Sequence, residues 1–344
     1  MVSRMVLLAA LGTLVPLVAS AAPVSVPESA YTQPQLKVEV EPGRSLNLYC
    51  AGQGAPTVLL DAGAGGGIMD WRRVQGEIGK WTRTCAYDRA GHGHSDPLTT
   101  TADVANTVED IHRLIKAASL GAPLIYVGHS IAGLFGVYLQ GKYPEDVAAE
   151  VLVDPSFAHH NDALQVPGKP ALLAQSLAGY LAGTQRCVAL ALAGRLSPPK
   201  DKPARDCLDI GDAPDIADPG VRAEILRQIA DGRVGFANLS EALSFLLPSP
   251  LDIDDQQMDA LTVSFGAKPM HVLTAANLAM PGATPADIAY LHAVLRASHD
   301  RIAALSTKGS HTEVADSAHY IQIDQPAAVI AAVRATIDEV RAAK

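Results

Sequence analysis

Val127-Gly128-His129-Ser130-Ile131-Ala132-Gly133 lies between an apolar run, Leu124 to Val127, and a segment of helical character, Leu134 to Tyr143. A serine flanked by small residues where a strand turns into a helix forms a nucleophile elbow, a sharp turn that lifts the hydroxyl clear of the sheet. The glycines are steric requirements of that turn. Ala132 stands where the usual pattern has glycine, so the match is G-x-S-x-A; alanine is still small, and Gly133 follows at once. Small residues and serine also meet in ordinary loops, so the reading depends on what surrounds the heptapeptide.

Upstream, Gln35 to Glu41 and Ser45 to Cys50 alternate apolar and polar residues around Pro42-Gly43, a hairpin signal. Thr57 to Asp61 is a continuous apolar run, as expected of a strand buried on both faces. It empties into Ala62-Gly63-Ala64-Gly65-Gly66-Gly67, where backbone N–H groups can point at an oxyanion. Neither nucleotide fingerprint fits: there is no G-x-x-x-x-G-K, and no G-x-G-x-x-G opening a helix after a strand. Thr82 to Tyr87 is a further strand, followed by the turn Asp88-Arg89-Ala90-Gly91-His92-Gly93-His94-Ser95-Asp96, whose histidines are expected in solvent or packed on the loop. Val104, Val108, Ile111, Leu114 and Ile115 form a helical stripe within Ala102 to Leu120.

Downstream, Glu150 to Val153 is a short buried strand ending at Asp154-Pro155. The strand and helix alternation then stops. Ala171 to Ala193 and Val221 to Leu247 read as helices, before the pattern resumes with a strand at Pro269 to Ala275, a helix at Pro285 to Leu305, a strand at His311 to Ala315 and a closing helix that runs to Arg341. Asp324, just before that helix, is expected as its N-cap.

The first residues do not read as fold. Arg4, the apolar stretch Met5 to Val18 and Ala19-Ser20-Ala21 have the order of a secretory signal peptide, 1–21, so an exported protein, periplasmic or secreted, is expected. No later run approaches the roughly 20 apolar residues of a membrane span. Losing Arg4 would take the formal net charge from -9 to -10, an acidic balance that argues against nucleic acid as a partner. Four cysteines suit two disulfides in an oxidising compartment, and sequence alone allows three pairings. No C-x-x-C and no H-x-x-x-H spacing occurs, so no structural metal is expected.

Taken in order, the glycine-rich loop, Tyr-Asp-Arg-Ala-Gly-His-Gly-His-Ser-Asp, Gly-His-Ser-Ile-Ala-Gly and Leu-Val-Asp-Pro, each following a strand, resemble the alpha/beta-hydrolase superfamily over residues 35–155 and again from 268 to the end. The resemblance implies an α/β fold with a mostly parallel sheet of about eight strands, formed by residues 22–155 and 268–344. It also implies that 156–267 is a helical cap that roofs the active site. Cys187 and Cys207 both fall inside that insertion and would close a loop worth about 3 kcal/mol by chain entropy. Cys50 and Cys85 would then pair across neighbouring strands.

A serine hydroxyl becomes a nucleophile when a base takes its proton and a third group orients the base. The resemblance makes Ser130 the nucleophile and His319, in the loop after the last strand, the base. His129 is expected to hydrogen-bond within the elbow. For the acid, Asp154 after the preceding core strand is preferred to Asp287, the first carboxylate beyond His271 to Ala275. The backbone N–H groups of Ile131 and Ala64 are the expected oxyanion donors, each worth about 3–4 kcal/mol of barrier lowering. The implied activity is hydrolysis of a small-molecule carboxylic ester through an acyl-enzyme, with no cofactor. Two alternatives are an amide-cleaving relative such as a proline-type aminopeptidase, with the acidic group Asp252, Asp254 and Asp255 available for a substrate ammonium or simply solvated, and a non-catalytic binding member of the fold. Dehalogenase and epoxide hydrolase chemistry is disfavoured, since those relatives carry aspartate at the elbow. The Ala- and Leu-rich cap hints at an apolar acyl or alcohol group.

Overall fold

In a computed structural model, residues 27–211 and 216–343 are described, so the expected signal peptide, 1–21, lies outside the described residues. The strands are β1 (Leu36–Glu41), β2 (Arg44–Ala51), β3 (Val58–Asp61), β4 (Thr84–Asp88), β5 (Leu124–His129), β6 (Val147–Val153), β7 (Met270–Ala275) and β8 (Gly309–Val314). They form one eight-stranded sheet in the order β1-β2-β4-β3-β5-β6-β7-β8. β1 and β2 are the expected hairpin, and β2 also runs antiparallel to β4; every other neighbouring pair is parallel.

The middle of the sheet is covered on both faces, which is why β3, β4 and β5 are buried at every residue and why β3 and β5 open as apolar runs. On one face, the helices Val104–Ala117 and Ile131–Lys142 pack Val108, Ile111, Leu134 and Phe135 against Leu59, Tyr87 and Tyr126. On the other, the closing helix Pro326–Ala342 sets Val329, Val333 and Ile337 beside Leu60, Val127 and Val151, with Trp71 and Ile78. Burying one such side chain contributes about 1.5–3 kcal/mol, so these two layers dominate the stability of the sheet.

Cys50 stands directly opposite Cys85 in the β2–β4 register, and the two are joined. The second disulfide links Cys187 at the end of the long helix Pro170–Leu192 to Cys207 of the short helix Lys202–Cys207. Both lie in the insertion between β6 and β7, with the further helices Pro219–Ala230, Gly232–Phe245 and Ile253–Asp259. The single helix expected over Val221 to Leu247 is two. Asp231 takes an extended conformation and its carboxylate accepts from Arg233 N–H, so this Asp-Gly pair ends one helix and caps the next. Among the described residues no helix is long and apolar enough to cross a membrane.

Because β3 to β8 run parallel, their C-terminal ends lie along one edge of the sheet, the usual location of a site in an open α/β sheet. The loops at that edge carry Ala64, Arg89, Ser130, Asp154 and the His319 segment.

Candidate active site

Ser130 closes β5 with φ 55° and ψ -122°, a positive φ that a non-glycine residue adopts only under constraint. The constraint is a set of backbone bonds: Ser130 N–H donates to Val153 O (3.1 Å), and Ser130 O accepts from Gly133 N–H and Ser156 N–H, both at 2.8 Å. The helix begins at Ile131, three residues earlier than its apolar pattern suggests, and it needs glycine at 133. A Cβ there would lie 2.2 Å from Pro155 Cβ, so the elbow helix and the Asp154-Pro155 turn touch backbone to ring.

Asp154 also has positive φ, at 44°. Its N–H donates to Leu273 O (2.7 Å), and its Oδ1 accepts from Ala275 N–H (3.0 Å), which ties the turn after β6 to β7. Its Oδ2 accepts from His319 Nδ1–H at 2.7 Å, and Ser130 Oγ–H points to His319 Nε2 at 3.0 Å. Burial alone would raise the Asp154 carboxyl. The hydrogen bonds from His319 and Ala275 outweigh it and hold the group below its ordinary value. His299 supports the turn from below, donating from Nε2 to Pro155 O at 2.8 Å; burial lowers this imidazole to about 4, so it is neutral.

The structure thus brings Ser130, His319 and Asp154 together and leaves Asp287 elsewhere. Asp287 forms a capping box with Thr284 at the start of Pro285–Ala303 and pairs with Lys169 Nζ at 2.6 Å. The Lys169 hydrogen bond, with those from Thr284, takes its carboxyl down to about 2.

Two further features hold the His319 loop. His129 Nε2–H donates to His319 O at 2.9 Å across from β5 to the β8 loop, and burial keeps this ring neutral, its pKa lowered to about 3. Asp324 is not the N-cap of the closing helix: Gln325 holds that place with no side-chain bond, while Asp324 Oδ2 accepts from Ala318 N–H at 2.9 Å. The carboxylate expected to start a helix therefore clamps the residue before His319.

The loop bearing Ala64 runs against the serine, since a Cβ built on Gly63 would come within 3.2 Å of Ser130 Cβ. Among the described residues neither Ala64 N–H nor Ile131 N–H donates to a protein acceptor. The loop is held from behind by Arg89, which is buried, donating to Asp61 Oδ1 (2.7 Å), Ala62 O (2.6 Å), Gly63 O (2.7 Å) and Glu241 Oε1 (2.7 Å). Glu241 lies on Gly232–Phe245, and its Oε2 accepts from Gly65 N–H at 2.9 Å. Glu241 of the insertion therefore binds both the buried Arg89 guanidinium and the glycine-rich loop after β3. The reading of the sequence gave Arg89 no role; the signal was an arginine directly after a buried strand, where an unpaired charge is untenable.

His92 is buried and packs on its own loop, as expected, with Nδ1 3.2 Å from Ala90 O, and His94 is half-buried; both also meet the insertion. Their Nε2 atoms approach Glu241 Oε2 at 3.6 Å and Glu224 Oε1 at 3.4 Å, both carboxylates of the insertion. Asp252, Asp254 and Asp255 are not solvated: all three are buried, accepting from Asp255, Val104 and His159 N–H respectively. His159, Asp162 and Asp255 bring one ligand atom each within 4.8 Å of one another, and His159 Nε2 also meets Asp259 Oδ1 at 3.0 Å.

With this geometry in place, comparison with known proteins is direct. A family model for the alpha/beta hydrolase fold matches residues 56–188, the stretch that holds the glycine-rich loop after β3, the turn at Ser130 and the start of the insertion. Over those residues the chain matches the alpha/beta-hydrolase family, and its fold is the alpha/beta-hydrolase fold. An esterase from Thermogutta terrifontis superposes over 90% of this chain and 99% of its own, with a TM-score of 0.57 at 18% identity. A Pseudomonas aeruginosa protein named as an epoxide hydrolase covers 87% and 94%, with a TM-score of 0.60 at 20% identity. Both likenesses speak to the fold alone. Among curated relatives, RutD of Klebsiella pneumoniae, a carbamate hydrolase by name, is 32% identical over 102 residues, which are 29% of this chain and 38% of RutD. The first curated relatives are thus matched over well under half of their length.

Proposed function

We propose that this alpha/beta hydrolase is a serine hydrolase that cleaves a carboxylic ester of a small molecule through an acyl-enzyme. One observation carries the reading: the unbroken chain from Asp154 Oδ2 through His319 to Ser130 Oγ, at 2.7 and 3.0 Å. His319 Nε2 takes the Ser130 proton as Oγ attacks the carbonyl carbon, and Asp154 stabilises the imidazolium that results. The tetrahedral oxyanion accepts from Ile131 and Ala64 N–H. Collapse expels the alcohol, protonated by His319. Water, activated by the same imidazole, then releases the acid and restores Ser130.

The insertion between β6 and β7 acts in this reading as a cap over the sheet edge, and Glu241 is its anchor to the oxyanion loop. The names esterase and carbamate hydrolase among its likenesses both denote attack at an acyl carbon. The amide-cleaving reading gains nothing from Asp252, Asp254 and Asp255, whose oxygens are engaged by backbone N–H groups. Two disulfides accord with action outside the cytoplasm.

The test is a fluorophosphonate probe with the adduct mapped by digestion and mass spectrometry, beside turnover of p-nitrophenyl butyrate. A single adduct on Ser130, absent from Ser130→Ala and from His319→Ala, is expected together with loss of turnover. Turnover that survives Ser130→Ala would remove the reading.

A further inference from the structure

A cavity of about 690 Å³ lies between the oxyanion loop and the insertion. Ala64 is part of its wall, as are Ala318 and Tyr320 on either side of His319, so it opens beside the proposed reaction centre and rests on that reading of the site. Much of the wall is apolar, with Val188, Ile225, Val234 and Ile323. Three tyrosines, Tyr31, Tyr180 and Tyr320, also line it, and so does Asp70.

Asp70 differs from the other acids of the wall. Asp88 accepts from Asn47 Nδ2 and from Ile68 and His94 N–H, and Asp324 accepts from Ala318 N–H, so both are engaged by the protein. Asp70 sits in the turn Ile68–Trp71, partly open to the cavity, and among the described residues no cationic side chain forms an ion pair with it. Burial pushes its carboxyl up to about 6, against the opposing effect of Arg72, which also lines the cavity, of Arg89 and of the Gly67 N–H, so what sets Asp70 apart is the lack of an ion-paired cation and not the lack of a backbone donor. Its position is fixed by the glycine run: a Cβ on Gly66 would lie 2.1 Å from Asp70 Oδ2, so the carboxylate occupies the space that a side chain there would fill. Gly66 is two residues beyond Ala64, a span of at most about 7 Å. A carboxylate without its cation, aromatic rings and an apolar wall within one ligand's length of an oxyanion donor are the parts of a site for an ammonium group on an apolar body.

We propose that this cavity selects esters that carry a protonated amine, and that Asp70 pairs with that amine. The specificity then lies on a core loop, not on the insertion, and the selected group is cationic, not the plain apolar chain that the composition of the insertion suggests.

Calorimetry tests it without turnover, using n-hexylammonium chloride, 1-hexanol and sodium hexanoate on the full chain. n-Hexylammonium is expected to bind at least about tenfold more tightly than either other probe, and Asp70→Asn to abolish that difference. Asp70→Ser serves as a second variant, with circular dichroism melting to check both folds. Equal binding of the three probes to the wild type, preference for hexanoate, or an ammonium preference that survives both substitutions would overturn the proposal. In parallel, kcat/KM is compared for an ω-amino aryl ester and its uncharged hexanoyl counterpart. Cleavage of both esters without ammonium binding would overturn the amine site and leave the ester reading standing. Ammonium binding that depends on Asp70, with neither ester cleaved, would sustain the amine site and remove the ester reading.

Discussion

The turn after β6 and the first turn of helix Pro285–Ala303 each present an aspartate that the sequence offers as partner to the histidine, and they use it in opposite ways. Asp154 has a donor on each oxygen from a different element: Ala275 N–H on β7 and His319 on the loop after β8. Asp287 has local donors at Thr284, which start a helix, and a lysine from the insertion, which pins that helix start to the insertion. Both carboxyls are held below their ordinary value, so acidity does not tell them apart. The job of a carboxylate is set by which elements donate to it. Remoteness of a donor does not separate them either, since Lys169 is about as far along the chain from Asp287 as Ala275 is from Asp154; what differs is that one donor to Asp154 is the histidine that faces Ser130.

The sharpest way to break that comparison is to neutralise each acid in turn. Asp154→Asn should lower kcat on p-nitrophenyl butyrate roughly ten-thousandfold, the size of effect seen when the orienting acid of a Ser-His-Asp system becomes an amide. Asp287→Asn should leave kcat within about twofold and lower the melting midpoint, through the lost cap and the lost Lys169 pair. Its depressed carboxyl contributes stability above its unfolded value, lost as pH falls toward about 2, so the variant should also show a flatter acid limb. Steady-state kinetics and thermal melts on the two purified variants decide it. Loss of activity in Asp287→Asn would reverse the assignment.

Glu241 extends the comparison to the insertion, since it too takes donors from distant elements: Arg89 after β4 and Gly65 after β3. Burial would raise its carboxyl; Arg89 and His92 prevail and lower it. Glu241→Gln keeps an acceptor for Gly65 but weakens the charged bond to Arg89, a loss of about 2 kcal/mol for a hydrogen bond between charged groups. It should cut kcat by about 100-fold through a small displacement of Ala64, with KM changing much less. If the variant loses stability with kcat intact, Glu241 belongs with Asp287, as scaffold.

Most of the fold was legible because the middle strands are buried on both faces, so apolar runs such as Leu124 to Val127 and Val58 to Leu60 leave a mark that needs no partner to be read. Ser130 was legible because a positive φ at the end of a strand demands small neighbours. His319 and Asp154 came through the resemblance, as positions in an ordered set of loops. What escaped was anything settled by distant contacts. Asp324 precedes a helix as a cap would, yet its oxygen turns back to Ala318. His92 and His94 look like loop residues until the insertion brings Glu241 and Glu224 to them. Arg89 and Glu241 are 152 residues apart, and no local pattern links them. The Asp231-Gly232 break was locally encoded, but the apolar content on either side masked it.

Glu150 tests the comparison from the other side, as a carboxylate to which none of the described residues donates. It is fully buried on β6, and among the described residues neither oxygen has a partner. Among the described residues Lys268 is the charge that favours its ionised form, and that ammonium is already bonded to Gln140 Oε1 and Pro144 O. Burial therefore raises the Glu150 carboxyl well above its ordinary value of 4.5, and the folded protein keeps a proton there that the unfolded chain releases. The sign follows: the folded state binds more protons, so stability falls as pH rises above 4.5 and the penalty persists at neutral pH. Glu150→Gln removes the ionisation step and should raise the melting midpoint at pH 7 by a few °C, with the gain shrinking toward pH 4. Catalysis should be unchanged, since Glu150 lies at mid-strand, away from the sheet edge that carries Ser130. A lower midpoint for Glu150→Gln at pH 7 would mean that this carboxylate has a partner after all, and that donors alone do not decide what a buried acid is for.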